Sequence, residues 1–181
     1  MTRTRLLAIS IGLLLYTMPA NAGFLSAQLS VNGLTCPFCA FGIEKKLLEV
    51  PGVREVEVFL DEGRIALTFE RGTEATVKQL EEAVRKAGFE LAGLSIETSG
   101  EIKRAGEGDV RLVAHPGMVF RLTEMVDRRE QPVSAETLRR IQKTRASNGE
   151  SLVVRGAVSE RDSREPLLVI RESEPVPGPG N

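Results

Sequence analysis

Leu25-Ser26-Ala27-Gln28-Leu29-Ser30-Val31-Asn32-Gly33-Leu34-Thr35-Cys36-Pro37-Phe38-Cys39-Ala40 changes its apolar period half-way along. Leu25, Ala27, Leu29 and Val31 alternate with Ser26, Gln28 and Ser30, the period of a half-buried strand. Asn32-Gly33 ends that run. From Pro37, which suits a first helical position, Ala40, Ile43, Leu47 and Val50 fall on one helical stripe, and Pro51-Gly52 stops it. Both cysteines of the chain, Cys36 and Cys39, therefore fall where the first strand hands over to the first helix.

The same reading continues outward. Val56, Val58 and Leu60 alternate, Asp61-Glu62-Gly63 reverses the chain, and Ile65, Leu67 and Phe69 form the return strand of a hairpin. Thr76 and Gln79 stand at capping-box spacing before the stripe Val77, Leu80, Ala83, Val84 and Ala87, and Gly88 sits where a helix C-cap belongs. A last strand covers 90–97. The order is βαββαβ, an α+β class whose expected packing is the ferredoxin-like one: a four-stranded antiparallel sheet with both helices on one face.

Ahead of this unit, Arg3 and Arg5 precede an apolar run over 6–16, then Pro19 and Ala20-Asn21-Ala22. That is the layout of a secretory signal peptide over 1–22, with cleavage expected after Ala22. The run is about half the ~20 residues a membrane-spanning helix needs, so an uncleaved anchor is the weaker reading. No cysteine follows the expected cleavage point to carry a lipid, and the mature protein is expected in the periplasm.

Beyond residue 98 the signals thin. Residues 99–109, with Gly100, Gly106 and Gly108 among charged side chains, read as a linker. Residues 110–114, 118–123, 151–159 and 166–171 are strand-like, with one helix over about 135–145 capped by Ser134. This makes 110–173 a smaller, mainly-β domain compatible with a barrel of OB type, and 174–181, rich in proline and glycine, a disordered tail. The whole chain of 181 residues has a net charge of −1, no Trp and two Cys, which excludes a charge-driven nucleic-acid binder and a disulfide-rich mini-protein.

The chemistry lies at Cys36-Pro37-Phe38-Cys39. Unpaired N–H groups and the positive end of a helix dipole favour the thiolate, which is both nucleophile and metal ligand. Two intervening residues let both sulfurs face one ion. With only two cysteines a closed four-sulfur zinc site needs a second molecule, so Zn(II) is the less suited ion and Cu(I) or Hg(II) the better suited. As a disulfide the pair would close a very small loop and stabilise little, even in an oxidising compartment.

Taken together, residues 31–39, then Val50-Pro51-Gly52-Val53, Val56-Glu57-Val58 and Ala87-Gly88-Phe89 resemble the heavy-metal-associated domain family. That family includes copper chaperones, modules of metal-transporting P-type ATPases and periplasmic mercury-binding proteins. The resemblance covers roughly 75 residues and implies the βαββαβ fold, ion binding by Cys36 and Cys39, no enzymatic activity, and a membrane transporter or another periplasmic carrier as partner. Leu34 stands where the family generally has a buried Met, a near-isosteric change. Phe89 occupies a position where an aromatic often supports the metal loop.

Cys-Pro-aromatic-Cys also resembles the active-site motif of thioredoxin-like oxidoreductases. The hairpin that follows the first helix, and the lack of a downstream cis-proline dipeptide within this domain, count against that rival. His115-Pro116-Gly117-Met118 with Met125 would suit a second soft-ion site, although a turn after a strand explains the same residues. Arg139, Arg140, Lys143 and Arg145 would face an acidic partner or simply water, the latter being the usual role of such a run. Residues 24–98 hold 8 basic and 12 acidic side chains, a balance that favours a basic face on the partner.

Overall fold

The computed structural model describes residues 23–106, 108–115, 118–148, 152–159 and 164–175, and of 142–148 and 172–175 the backbone alone. The expected leader over 1–22, the Pro116-Gly117 turn and the end of the expected tail lie outside the described residues. The first unit follows the expected order: β1 (Gly23–Asn32), α1 (Pro37–Leu48), β2 (Val53–Phe59), β3 (Arg64–Phe69), α2 (Val77–Lys86) and β4 (Glu90–Arg104). Between β2 and β3 a short 3-10 turn, Leu60–Glu62, closes on Gly63, whose φ of 58° is left-handed. The capping box before α2 is complete: Thr76 accepts from the Gln79 N–H, and the Gln79 side chain accepts from the Thr76 N–H.

Within this unit the sheet runs β2-β3-β1-β4, all antiparallel. Ala27, Leu29 and Val31 of β1 and Ile65, Leu67 and Phe69 of β3 are buried, together with Ile43 and Leu47 of α1 and Val77, Leu80, Ala83 and Val84 of α2. These are the positions the two periods selected, because burial on one face is what creates the period. The class is α+β, as expected.

The linker reading of 99–109 is corrected. β4 does not stop at residue 97 but runs unbroken to Arg104, leaving only a short loop before β5 (Val110–His115). Gly100, taken as punctuation, is a close-approach residue, since a Cβ there would lie 2.5 Å from the Val113 carbonyl oxygen.

The strands β6 (Met118–Val126), β7 (Arg129–Pro132), β8 (Leu152–Ser159) and β9 (Leu167–Pro175), with helix α3 (Ala135–Asn148), complete the chain. β9 takes in Glu174 and Pro175, so the expected tail begins at least two residues too early. β7 gave no sequence signal because all four of its residues are exposed.

The second half is closed through β4. Residues 101–104 pair with β5, β5 with β6, β6 with β9 in parallel, β9 with β8, and β8 returns to residues 95–100 of β4. Phe120, Leu122, Leu112, Val154, Val158 and Leu168 are buried within this ring, and Ile141 of α3 is buried too.

The core of the two halves is continuous. Phe24 lies edge-on to Phe69 of the first unit at 5.5 Å and tilted against Phe120 of the barrel at 6.2 Å, separations at which aromatic pairs attract. Ser26, Glu97 and Arg155 stand in one row across β1, β4 and β8, with Glu97 accepting from Ser26 at 3.0 Å and pairing with Arg155 at 3.2 Å. No helix of the described residues is long and apolar enough to cross a membrane.

A Cβ at Gly156 would lie 2.3 Å from the Val169 carbonyl oxygen, so β8 and β9 must separate to admit one. Gly156→Ala is expected to cost about 3 kcal/mol. Because the core is shared, urea denaturation should still show a single transition, at a lower midpoint, in place of a loosened barrel beside an intact first unit.

Candidate metal centre

Residues 31–43 carry no charged side chain, and their geometry sets the two sulfurs. β1 ends at Asn32, paired with Glu90 at the start of β4, and Val31 donates its N–H to the Gly63 carbonyl at 2.8 Å. Gly33 then turns the chain, with Thr35 donating back to the Gly33 carbonyl at 3.0 Å. Leu34 is fully buried in the core beneath the loop, so the Leu-for-Met difference leaves the anchor apolar and packed. Phe89 and Cys39 are partly buried against the same core, and Phe89 donates its N–H to the Val84 carbonyl beyond the end of α2.

Cys36 is the N-cap of α1 in extended conformation, with Pro37 at the first helical position, and Cys39 lies in the first turn. Both thiols are free and half-exposed. The Cys36 side chain makes no short capping bond, yet the hydrogen-bonding groups around its sulfur favour the thiolate and outweigh the opposing effect of partial burial. The Cys39 backbone N–H contributes most, then the Cys39 thiol, then the Phe38 N–H, and together they hold Cys36 below the ordinary thiol range. Cys39 is pushed the other way, first because its own S–H is engaged with Cys36, then by partial burial, then by repulsion from a charged Cys36. The pair thus holds one sulfur that ionises more readily than the other.

Among the described residues no group of three or more His, Cys, Asp or Glu could hold an ion. His115 is not part of an open site: it is 7% exposed at the end of β5, and its Nε2 lies 3.1 Å from the Ala75 carbonyl oxygen, just ahead of α2. Met118, its cross-strand neighbour, is also buried, whereas Met125 is exposed further along β6. The histidine fastens the barrel to the first unit, a contact between distant segments that no local pattern announces. Arg139 and Arg140 lie exposed on α3, and the side chains of Lys143 and Arg145 fall outside the described residues.

Residues 28–90 match the model of the heavy-metal-associated domain. Across 80 residues the chain is 32% identical to the mercuric transport protein periplasmic component of Shigella flexneri, covering 44% of this chain and 87% of that protein. The chain belongs to the heavy-metal-associated domain family. It is also 41% identical over 64 residues to copper-transporting ATPase 2 of Rhizobium meliloti (strain 1021), 35% of this chain but 8% of that much longer protein. To the copper chaperone CopZ of Bacillus subtilis (strain 168) it is 30% identical over 64 residues, 35% of this chain and 91% of the chaperone. The family match ends at residue 90, so the heavy-metal-associated domain accounts for β1 to α2 and the barrel lies outside it.

Two outcomes follow. Iodoacetamide near neutral pH should alkylate Cys36 well ahead of Cys39, read by mass spectrometry of the 36–39 peptide, and the preference should shrink as the pH rises past the Cys39 value. His115→Ala should cost about 1–3 kcal/mol in chemical denaturation, because the buried Ala75 carbonyl loses its partner, while the stoichiometry of any ion bound by the cysteines stays unchanged.

Proposed function

We propose that this chain is a non-enzymatic carrier that captures one soft ion, Cu(I) or Hg(II), through Cys36 and Cys39 and passes it to a membrane transporter or another carrier. The observation that carries this reading is the pair of free, half-exposed thiols at the N-terminus of α1, one biased to the thiolate, inside the segment that matches the family. With no third ligand gathered beside them among the described residues, the pair suits ions that accept two soft donors better than it suits Zn(II). The similarity to a mercuric transport component and to a copper chaperone supports the same two ions.

Transfer proceeds by ligand exchange without change of oxidation state. A thiolate of the acceptor adds to the ion, one Cys36 or Cys39 thiolate leaves and takes a proton from solvent, and a second exchange frees the other. The layout of residues 1–22 supports export to the periplasm, where the carrier would meet its donor and acceptor.

We read the second half as a barrel of OB type: with the short β7 left aside, its first strand pairs with its second and fourth, its third lies parallel to its fifth, and a helix stands between the third and the fourth. Phe120 is the only aromatic residue in 99–181 and it is buried, so the barrel offers no stacking platform for nucleic acid. We read it as a support that lends specificity in docking.

A redox role is the second reading, favoured by the opposed pKa directions of the two thiols. An anaerobic titration of the reduced protein against a chromophoric Cu(I) chelator, with Hg(II) and Zn(II) in parallel, separates the two. The carrier reading expects one Cu(I) or Hg(II) per chain, about hundredfold or more weaker binding in Cys36→Ser, and loss of affinity as acid protonates the thiolates. No capture, together with turnover of a disulfide substrate, would establish the oxidoreductase instead.

A further inference from the structure

Helix α1 is apolar on two sides. Inward it buries Ile43 and Leu47. Outward it presents Phe38, 90% exposed, Phe41, 70% exposed, and Leu48, 46% exposed, three of the five large apolar side chains exposed among the described residues. Phe38, Phe41, Lys45 and Leu48 follow one another at spacings of three, four and three, so they form a single stripe that starts between the two cysteines and runs the length of the helix. A helix on the surface of a folded unit ordinarily turns polar residues outward, and one that is apolar all round is normally covered. The barrel does not cover it: the three side chains stay exposed with the barrel in place, and β8 meets β4 only from Ser95, whose β1 partner Gln28 lies roughly 13 Å along the strand from Asn32.

The position and charge of the stripe narrow what covers it. Phe38 lies between the sulfurs, so any thiolate that reaches an ion held there must come from a surface that also covers Phe38. A bilayer burying Phe38 would shut the sulfurs away from such a thiolate. At the far end of the stripe Lys45, Lys46 and Lys86 act together on the Glu49 carboxylate, which they hold below its usual range. Two copies packed stripe to stripe with their helices parallel would set these lysines against one another. The acidic balance of the whole unit points to a basic partner, but screening over about 8 Å leaves the local lysines in control at this patch.

We propose that Phe38, Phe41 and Leu48 form the docking stripe for the protein that receives the ion, and that the receiving surface is an apolar pocket rimmed by carboxylates. The proposal rests on the carrier reading above. Docking is then dominated by apolar burial beside the sulfurs, with the lysines aiding encounter.

The test places p-benzoylphenylalanine at position 45 of the full chain and irradiates cells that natively make the protein, with each adduct identified by mass spectrometry. The expected adduct is a membrane transporter or carrier with its own cysteine pair. It should fall at least tenfold in Phe41→Ser/Leu48→Ser and persist in Phe41→Leu/Leu48→Met. Absence of an adduct, an adduct to lipid, to a second copy or to residues 1–22, or a yield unmoved by the serine pair would overturn the proposal. Cu(I) titration of the purified serine variant keeps the two readings apart. Ion capture by both the parent and the variant, with no transporter adduct from the parent, removes the docking stripe alone, whereas no capture by variant and parent alike removes the carrier reading.

Discussion

β4 makes backbone hydrogen bonds on both of its edges, and the rest of the molecule is arranged around that fact. In an isolated βαββαβ sheet β4 would be an edge strand, with a row of unpaired N–H and C=O groups facing water. Here residues 95–100 give that edge to β8, while the opposite edge serves β1 as far as Ser99 and β5 from Glu101 onward. One strand therefore closes the first sheet and opens the barrel. The two halves cannot be separated without exposing a strand edge and the rings of Phe24 and Phe120, so they are one folded body in which the family segment is the smaller part.

This arrangement keeps the dithiol away from the barrel. The cysteine loop leaves β1 at the Asn32/Glu90 end of the sheet, whereas β8 meets β4 only from Ser95, opposite Gln28, and pairs on toward the other end. Leu34 beneath the loop, the Val31 to Gly63 hydrogen bond beside it and α1 behind it hold the sulfurs from one side only. The opposite side stays open, as the proposed carrier role requires. The reactivity of the pair is local: backbone N–H groups of the first helical turn lower Cys36, and Cys36 in turn raises Cys39.

Much of the first unit was legible because its side chains carry the fold's period. Leu29 and Val31, Ile65 and Leu67, and Leu80 and Val84 are buried where alternation and the helical stripe put them, and Thr76 with Gln79 forms the cap their spacing implied. The stretch after residue 97 was misread for a complementary reason. Glycine and charge normally punctuate a chain, but Gly100 is there because the Val113 carbonyl comes within 2.5 Å of where a Cβ would be, and Glu101 and Lys103 face water from a strand. β7 shows the limit case, an element with no buried residue and so no period to read.

By itself, then, the sequence determined the order of strands and helices up to Phe89, the placing of Cys36 and Cys39 at a helix N-terminus, and the family. All of these depend on neighbours a few residues apart. Only the tertiary structure decided that β4 continues through the supposed linker, that β8 returns to it across more than fifty residues, that His115 is tied to Ala75, and that the outer side of α1 is left bare. Those features are set by which backbone edges and which faces meet in space. Side-chain period records that a face is buried, and is silent about what buries it.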